Sequence, residues 1–218
     1  MTTKAFTGIP LAAFDFYEQL SAHNTKSWWA ENKETYELAV KGPLTGLADE
    51  LSAEFGEWRM FRPHRDTRFS KDKTPMKTHQ GVTVSIEDGV GYYVQVSADG
   101  LMVAGGWYAP QGSQVDRFRR GVDGPRGPEL ATALARLRRT WEIGGEPLKT
   151  HPRGYPSDHP RIDLLRFRQL TVARTYGVED WLATRRVLTT VRKDWQSITP
   201  LLEWLADTVG PAEDPSRG

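Results

Sequence analysis

The residues with the most chemistry in them run from Arg62 to Lys77, Arg-Pro-His-Arg-Asp-Thr-Arg-Phe-Ser-Lys-Asp-Lys-Thr-Pro-Met-Lys. Between Arg59 and His79 there are seven Lys and Arg against Asp66 and Asp72, a local excess of positive charge in a chain whose net charge is +1. Read as an extended strand, its first half places Arg62, His64, Asp66, Arg68 and Ser70 on one face and Phe61, Arg65 and Phe69 on the other. Arginine's planar fork binds a carboxylate or phosphate through two parallel hydrogen bonds, and lysine adds a point charge. Arg65, Arg68, Lys71, Lys73 and Lys77 are therefore candidate anion ligands. Asp66 and Asp72 would orient them, and Asp66 is also a candidate catalytic carboxylate. The same residues, paired with one another, would instead make a solvated ion-pair network.

A second cluster is Lys149-Thr-His-Pro-Arg-Gly-Tyr-Pro-Ser-Asp-His-Pro160. Arg153 and Tyr155 could contact an anion, while Asp158 and His159 are candidates for proton transfer because imidazole titrates near neutrality. A proline-stiffened loop packing Tyr155 on the core would have the same composition. The leading expectation is a site for a phosphorylated or carboxylated small molecule, clamped by the first cluster and closed by the second. Phosphoryl or nucleotidyl hydrolysis or transfer is the reaction class it would serve, since there the protein mainly supplies position and positive charge.

Two alternatives stand beside it. Arg117–Arg120 and Arg136–Arg139, with Trp28-Trp29 and Trp107-Tyr108 as stacking rings, would suit a nucleic-acid-binding module. A partner-interaction domain locked by ion pairs is the other. The five histidines are scattered without metal-ligand spacing, so no metal is assigned. No phosphate-cradling glycine loop or nucleophile elbow assigns a cofactor or a covalent mechanism.

These residues need a scaffold. Pro10 to Ala22 carries Phe14, Tyr17 and Leu20 at helical spacing. His23-Asn24-Thr25 interrupts it, with Asn24 or Thr25 as the next cap. Trp29, Tyr36, Val40, Leu44, Leu47, Leu51 and Phe55 then keep one helical face up to Gly56, with Gly42-Pro43 expected to kink or split the helix. Alternation in Val82–Ile86, Tyr92–Val96 and Leu101–Trp107, punctuated by Asp88-Gly89 and Asp99-Gly100, predicts a three-stranded antiparallel meander, with Trp58–Ser70 as a possible neighbour.

Ser113 is the predicted cap of a helix through Val122, followed by a loop over Gly121–Pro128 and a helix carrying Leu130, Leu134, Leu137 and Trp141. Residues 144–160 predict a long irregular loop, Leu165–Arg174 a strand, Glu179–Val191 a helix, and Thr199-Pro200 the start of a last helix. Helices and strands are segregated, which predicts an α+β fold: an antiparallel sheet packed against N- and C-terminal helices. One domain is expected over 6–210, with a disordered tail over 211–218.

Eight Trp, seven Tyr and eight Phe in 218 residues suffice for a core without cross-links, and cysteine is absent. Disulfides, thiol nucleophiles and Cys-held metals are thereby excluded, and a reducing, cytoplasmic location is expected. No apolar leader and no run of about 18 apolar residues is present, so neither a signal peptide nor a membrane partner is expected.

The run Arg65-Asp-Thr-Arg-Phe-Ser-Lys-Asp-Lys-Thr-Pro-Met-Lys-Thr-His79 resembles the signature of a widespread bacterial and fungal family of conserved proteins of unknown function, roughly R-D-x-R-F-S-K-D-K-T-P-Y-K-T. Asn24–Trp29, Ala104–Trp107 and Pro152–Pro160 agree with the same pattern, so the resemblance covers about 6–209. Met76 stands where the family usually has Tyr, and Pro63-His64 replaces an apolar-plus-aromatic pair. The resemblance implies that the two charged segments belong to one pattern. It brings no assigned reaction, substrate or cofactor.

Overall fold

The computed structural model describes residues 6–66, 68 and 71–212. The face assignments made above for Phe69 and Ser70, and the tail from 213 onward, lie outside the described residues. The architecture is α+β. Among the described residues six strands, β1 (Trp58–Met60), β2 (His79–Glu87), β3 (Val90–Ser97), β4 (Gly100–Trp107), β5 (Glu142–Gly144) and β6 (Leu170–Tyr176), form one antiparallel sheet in the order β1-β2-β3-β4-β6-β5. The chain groups into two compact units, 1–84 with 93–103 and 175–194, and 85–92 with 104–174 and 195–218.

The first unit opens with α1 (Ala12–Ala22), whose Ala13, Phe14, Phe16, Tyr17 and Leu20 are buried. Thr25 caps α2 (Lys26–Thr35) by accepting the Trp28 N–H at 3.2 Å. The helix then continues without a break through a π-helical stretch, Tyr36–Lys41, into α3 (Gly42–Phe55), ending at Gly56 with φ +105°. Gly42-Pro43 was expected to kink or split this helix, and it does not split it. Instead Pro43 sits in the first turn of α3, where its missing N–H costs little, and the Gly42 N–H bonds to the Glu37 carbonyl five residues back. Trp29, Tyr36, Val40, Leu44, Leu47 and Leu51 are all buried. Strand β1 pairs antiparallel with β2, Trp58 opposite Val84 and Met60 opposite Val82.

In the second unit α4 (Gly112–Asp123) is capped by Gln111, not Ser113. The Gln111 and Gln114 side chains satisfy each other's exposed backbone N–H groups in a reciprocal box. Gln114 is fully buried because its amide also donates to the carbonyls of Asp88 and Gly210 at 3.0 and 2.8 Å. α5 (Gly127–Leu137) carries Pro128 in its first turn, which trims the expected Gly/Pro loop to a few residues. β5 pairs with β6, Ile143 opposite Val172, and of the stretch expected as strand Leu165 ends α6 (Ile162–Leu165) while the strand itself begins at Leu170.

The last helix, α7 (Arg186–Val209), is one 24-residue element with Pro200 inside it, where a fresh start had been expected. Val187, Val191, Trp195, Ile198, Leu201, Leu202, Leu205 and Val209 form one buried stripe through the proline. Burial at roughly 25 cal/mol per Å² across such a stripe exceeds the ~3 kcal/mol that an interior proline costs. No helix of the described residues is long and apolar enough to cross a membrane.

Candidate functional site

The Arg62–Lys77 segment leaves β1 and turns back toward β2 as a hairpin closed at its base. His64 and Met76 face each other in an antiparallel bridge. The Arg65 N–H donates to the Pro75 carbonyl at 2.9 Å, and the Lys77 N–H to the Pro63 carbonyl at 2.8 Å. Met76 therefore turns its own N–H and C=O outward, and both meet Asn24: Nδ2 donates to the Met76 carbonyl at 2.9 Å and Oδ1 accepts the Met76 N–H at 3.1 Å. One side-chain amide thus acts as a one-residue strand on the hairpin. The Met76 side chain is 1% exposed, so the position where the resemblance placed a phenol belongs to the core.

Within the hairpin the expected anion ligands divide. Arg65 pairs with Asp72, Nη1 to Oδ2 at 2.9 Å. Asp72 also accepts the Thr74 N–H and hydroxyl, and these bonds, more than Arg65, hold its carboxyl below the usual carboxylate range. Arg68 grips Asp66 with two bonds, Nε to Oδ1 at 3.0 Å and Nη2 to Oδ2 at 2.7 Å. That grip lowers the Asp66 pKa and raises that of Arg68, with Arg62 adding a smaller downward pull on Asp66. Lys71 and Lys73 are exposed.

A recess of about 350 Å³ opens beside the hairpin base, lined by Arg59, Met60, Phe61, Arg62, His64, Asp66 and Lys77. Arg62, His64 and Asp66 line it together, and so does Phe61, which an extended run would have put on the opposite face. Arg59 and Phe61 enter from β1 and its extension. The Arg59 guanidinium and the Lys77 ammonium lie 5.6 and 5.4 Å from the Phe61 ring centre. His64 turns its ring toward Trp29, centroids 6.2 Å apart.

The recess has a fixed floor. The Phe61 N–H donates to the Gly81 carbonyl at 3.1 Å, and the Phe61 carbonyl accepts from Gln80 Nε2 at 2.7 Å. Gln80 is 1% exposed, and its Oε1 accepts the Tyr36 hydroxyl at 2.7 Å. Burial, then the nearby Glu37, raises the Tyr36 pKa, so the phenol keeps the proton it donates. Tyr93 packs edge-on to Phe61, centroids 6.1 Å apart, and lies across Gly81, where a Cβ would come within 2.2 Å of its hydroxyl. Burial pushes the Tyr93 pKa up to about 12.

His79, at the start of β2, has its pKa lowered by burial first and then by Lys77 and Arg65. A depressed imidazole pKa means that the unfolded chain binds protons more readily than the folded one. The neutral form's contribution to stability is whole above the unfolded value near 6.5 and declines as pH falls below it. In an NMR titration the His79 ring should therefore protonate below the ordinary imidazole midpoint. Lys77→Ala, or an anion bound beside Lys77, should move that midpoint upward. A midpoint that ignores both changes would show that Lys77 does not act on His79.

The 149–160 loop lies in the second unit. Arg153 and Asp158 are exposed and Tyr155 is half-buried. Burial, then Asp123, raises the Tyr155 pKa. His159 has both ring nitrogens engaged: Nε2 meets Asp123 Oδ1 at 3.0 Å and Nδ1 accepts the Arg161 N–H at 3.0 Å. The second bond requires a bare Nδ1, so Nε2 carries the proton and donates it to Asp123. Arg161 completes the arrangement by donating to the Val122 and Asp123 carbonyls at the C-terminal end of α4, at 2.7 and 2.8 Å. In this arrangement His159 fastens the loop to α4.

The spacing of charges in the sequence had pointed to the hairpin, but Arg59, Phe61, Tyr36, Gln80 and Asn24 had not been read as part of a site. Arg59 was visible in the charge excess. The buried amides gave no signal, because a glutamine or asparagine reads as an ordinary polar residue until its partners are seen.

Fold and recess together describe an α+β protein with a cation-lined hollow at the edge of an antiparallel sheet. The chain belongs to the family described as conserved hypothetical protein (DUF2461), whose model matches residues 12–204. No curated protein and no solved structure matches it.

Proposed function

We propose that the first unit binds a phosphorylated or carboxylated small molecule in the recess beside the hairpin. The observation that carries this reading is the charge of the lining: Arg59, Arg62 and Lys77 surround a space whose carboxylate, Asp66, is already gripped by Arg68. Arg62 and Lys77 are the principal ligands in this reading, with Arg59 at the rim. Arg65 and Arg68 serve the hairpin, each holding a carboxylate, which makes the ion-pair lock the better account of those two residues. If a reaction follows binding, phosphoryl or nucleotidyl transfer or hydrolysis suits a site of this kind, and His64 is the imidazole placed to move a proton in it.

Binding of this kind stabilises the folded state by mass action, about 2.7 kcal/mol at a ligand concentration 100 times Kd. At constant ionic strength, phosphate, pyrophosphate, mononucleotides or citrate should raise the wild-type Tm. A correctly folded Arg62→Ala/Lys77→Ala variant should bind at least about 100-fold more weakly, since each of the two charge-assisted hydrogen bonds contributes roughly 1.5–3 kcal/mol. Equal responses from the two proteins, or none from either, would dispose of the reading. A nucleic-acid site would differ in weakening steeply with added salt.

A further inference from the structure

Resting on that reading, we infer that the ligand is a phosphomonoester carrying a planar aromatic group, with Phe61 as the surface against which that group stacks. Three observations lead there. The recess, at about 350 Å³, is larger than an inorganic anion needs and falls at the low end of the roughly 300–1,000 Å³ typical of organic ligands. Its cations are also not distributed as a bare phosphate cage would have them. Arg59 and Lys77 stand over an aromatic ring that is only half-buried, so charge and π-surface are offered together. A guanidinium plane and an aromatic ring both accept the face of a nucleobase or similar ring, through stacking and cation–π attraction.

Finally, the ring is held ready. Its residue is hydrogen-bonded through both backbone groups, to Gly81 and to Gln80, and its edge is set by Tyr93. A ring fixed in advance binds without the entropy cost of ordering a mobile side chain. Arg62 and Lys77 take the phosphate, and Phe61, with the exposed Arg59, takes the ring.

Calorimetry with matched pairs tests this. AMP and ribose 5-phosphate share phosphate and sugar and differ by the base. Phenyl phosphate and inorganic phosphate repeat the comparison without the sugar. On the wild type the aromatic member of each pair should bind about tenfold or more tightly than its partner. Phe61→Leu, which keeps an apolar side chain of similar bulk, should remove most of that margin and leave ribose 5-phosphate within about twofold of its wild-type affinity. Equal binding within both pairs on the wild type, or a margin that survives Phe61→Leu, overturns the aromatic assignment while the anion reading stands. Ligands that bind Arg62→Ala/Lys77→Ala as well as they bind the wild type, or that bind neither protein, overturn the anion reading and this inference with it.

Discussion

Gln80→Leu should lower the unfolding free energy by about 3 kcal/mol, one of the largest effects expected from a single polar substitution in this protein. The side chain is 1% exposed and joins three groups: it accepts the Tyr36 hydroxyl and donates to the carbonyls of Phe61 and Gly81. Leucine fills similar space but leaves the Tyr36 phenol without its acceptor and the Phe61 carbonyl without its donor, at about 1–3 kcal/mol for each unsatisfied buried group. Tyr36→Phe, which removes one donor from the same network, should cost less, roughly 1 kcal/mol. The double variant should fall short of the sum, because both substitutions break the same bond. Urea unfolding of the three variants measures this. Any ligand of the recess should also bind Gln80→Leu several-fold more weakly, since Phe61 would lose its anchor. A Gln80→Leu protein as stable as the wild type would show that the amide is replaceable and that the recess floor rests on other contacts.

The second large effect is expected at Asn24. Asn24→Ala removes both partners of the Met76 backbone, and about 2–3 kcal/mol should be lost if solvent does not replace them. Hydrogen exchange localises the change: the Met76 amide should lose protection well before the middle of β2 does. Asn24→Asp is the informative companion. Its carboxylate can still accept the Met76 N–H but cannot donate to the Met76 carbonyl, so it should recover only part of the loss. If Met76 exchanges at the same rate in wild type and Asn24→Ala, the amide is not what closes the hairpin.

Much of the scaffold could be read from local pattern. Alternation in Val82, Val84, Tyr92, Val94 and Val96 and the two Asp-Gly turns, at Gly89 (φ +76°) and Gly100 (φ +112°), demand a meander whatever surrounds them. The helical face from Trp29 to Leu51 was equally plain. Pro200 misled because proline's local cost is visible in a sequence, whereas the burial that outweighs it depends on residues on both sides meeting a common core. Ser113 misled in a similar way, since a good capping residue was displaced by a glutamine pair whose partners, Asp88 and Gly210, are far away in the chain.

At the candidate site, charge density marked the right stretch but could not say which cations were already committed. Asp66 faces Arg62 and Arg68 at comparable sequence distance, and two-bond geometry goes to Arg68. Asp72 is held by Thr74 and Arg65 together. Partner choice of this kind is decided by side-chain reach in three dimensions. For that reason Arg59 and Arg62, adjacent to the motif rather than inside its most distinctive run, came to line the recess.

The π-helical stretch Tyr36–Lys41 holds one residue more than an α-helix would need to turn through the same angle. An α-helix advances about 100° per residue, and a π turn absorbs one residue more than an α turn. Deleting a single residue there would let the helix rewind into unbroken α form, with Leu38, 70% exposed, the residue least needed by the interior. The shorter segment would turn through the same angle, so Trp29 and Tyr36 would keep their present phase relative to Leu44 and Leu47. Loss of Leu38 should therefore be tolerated, whereas loss of one residue in the middle of α3, which stores no spare, would turn the residues beyond it by about 100° and carry Leu51 off the buried face.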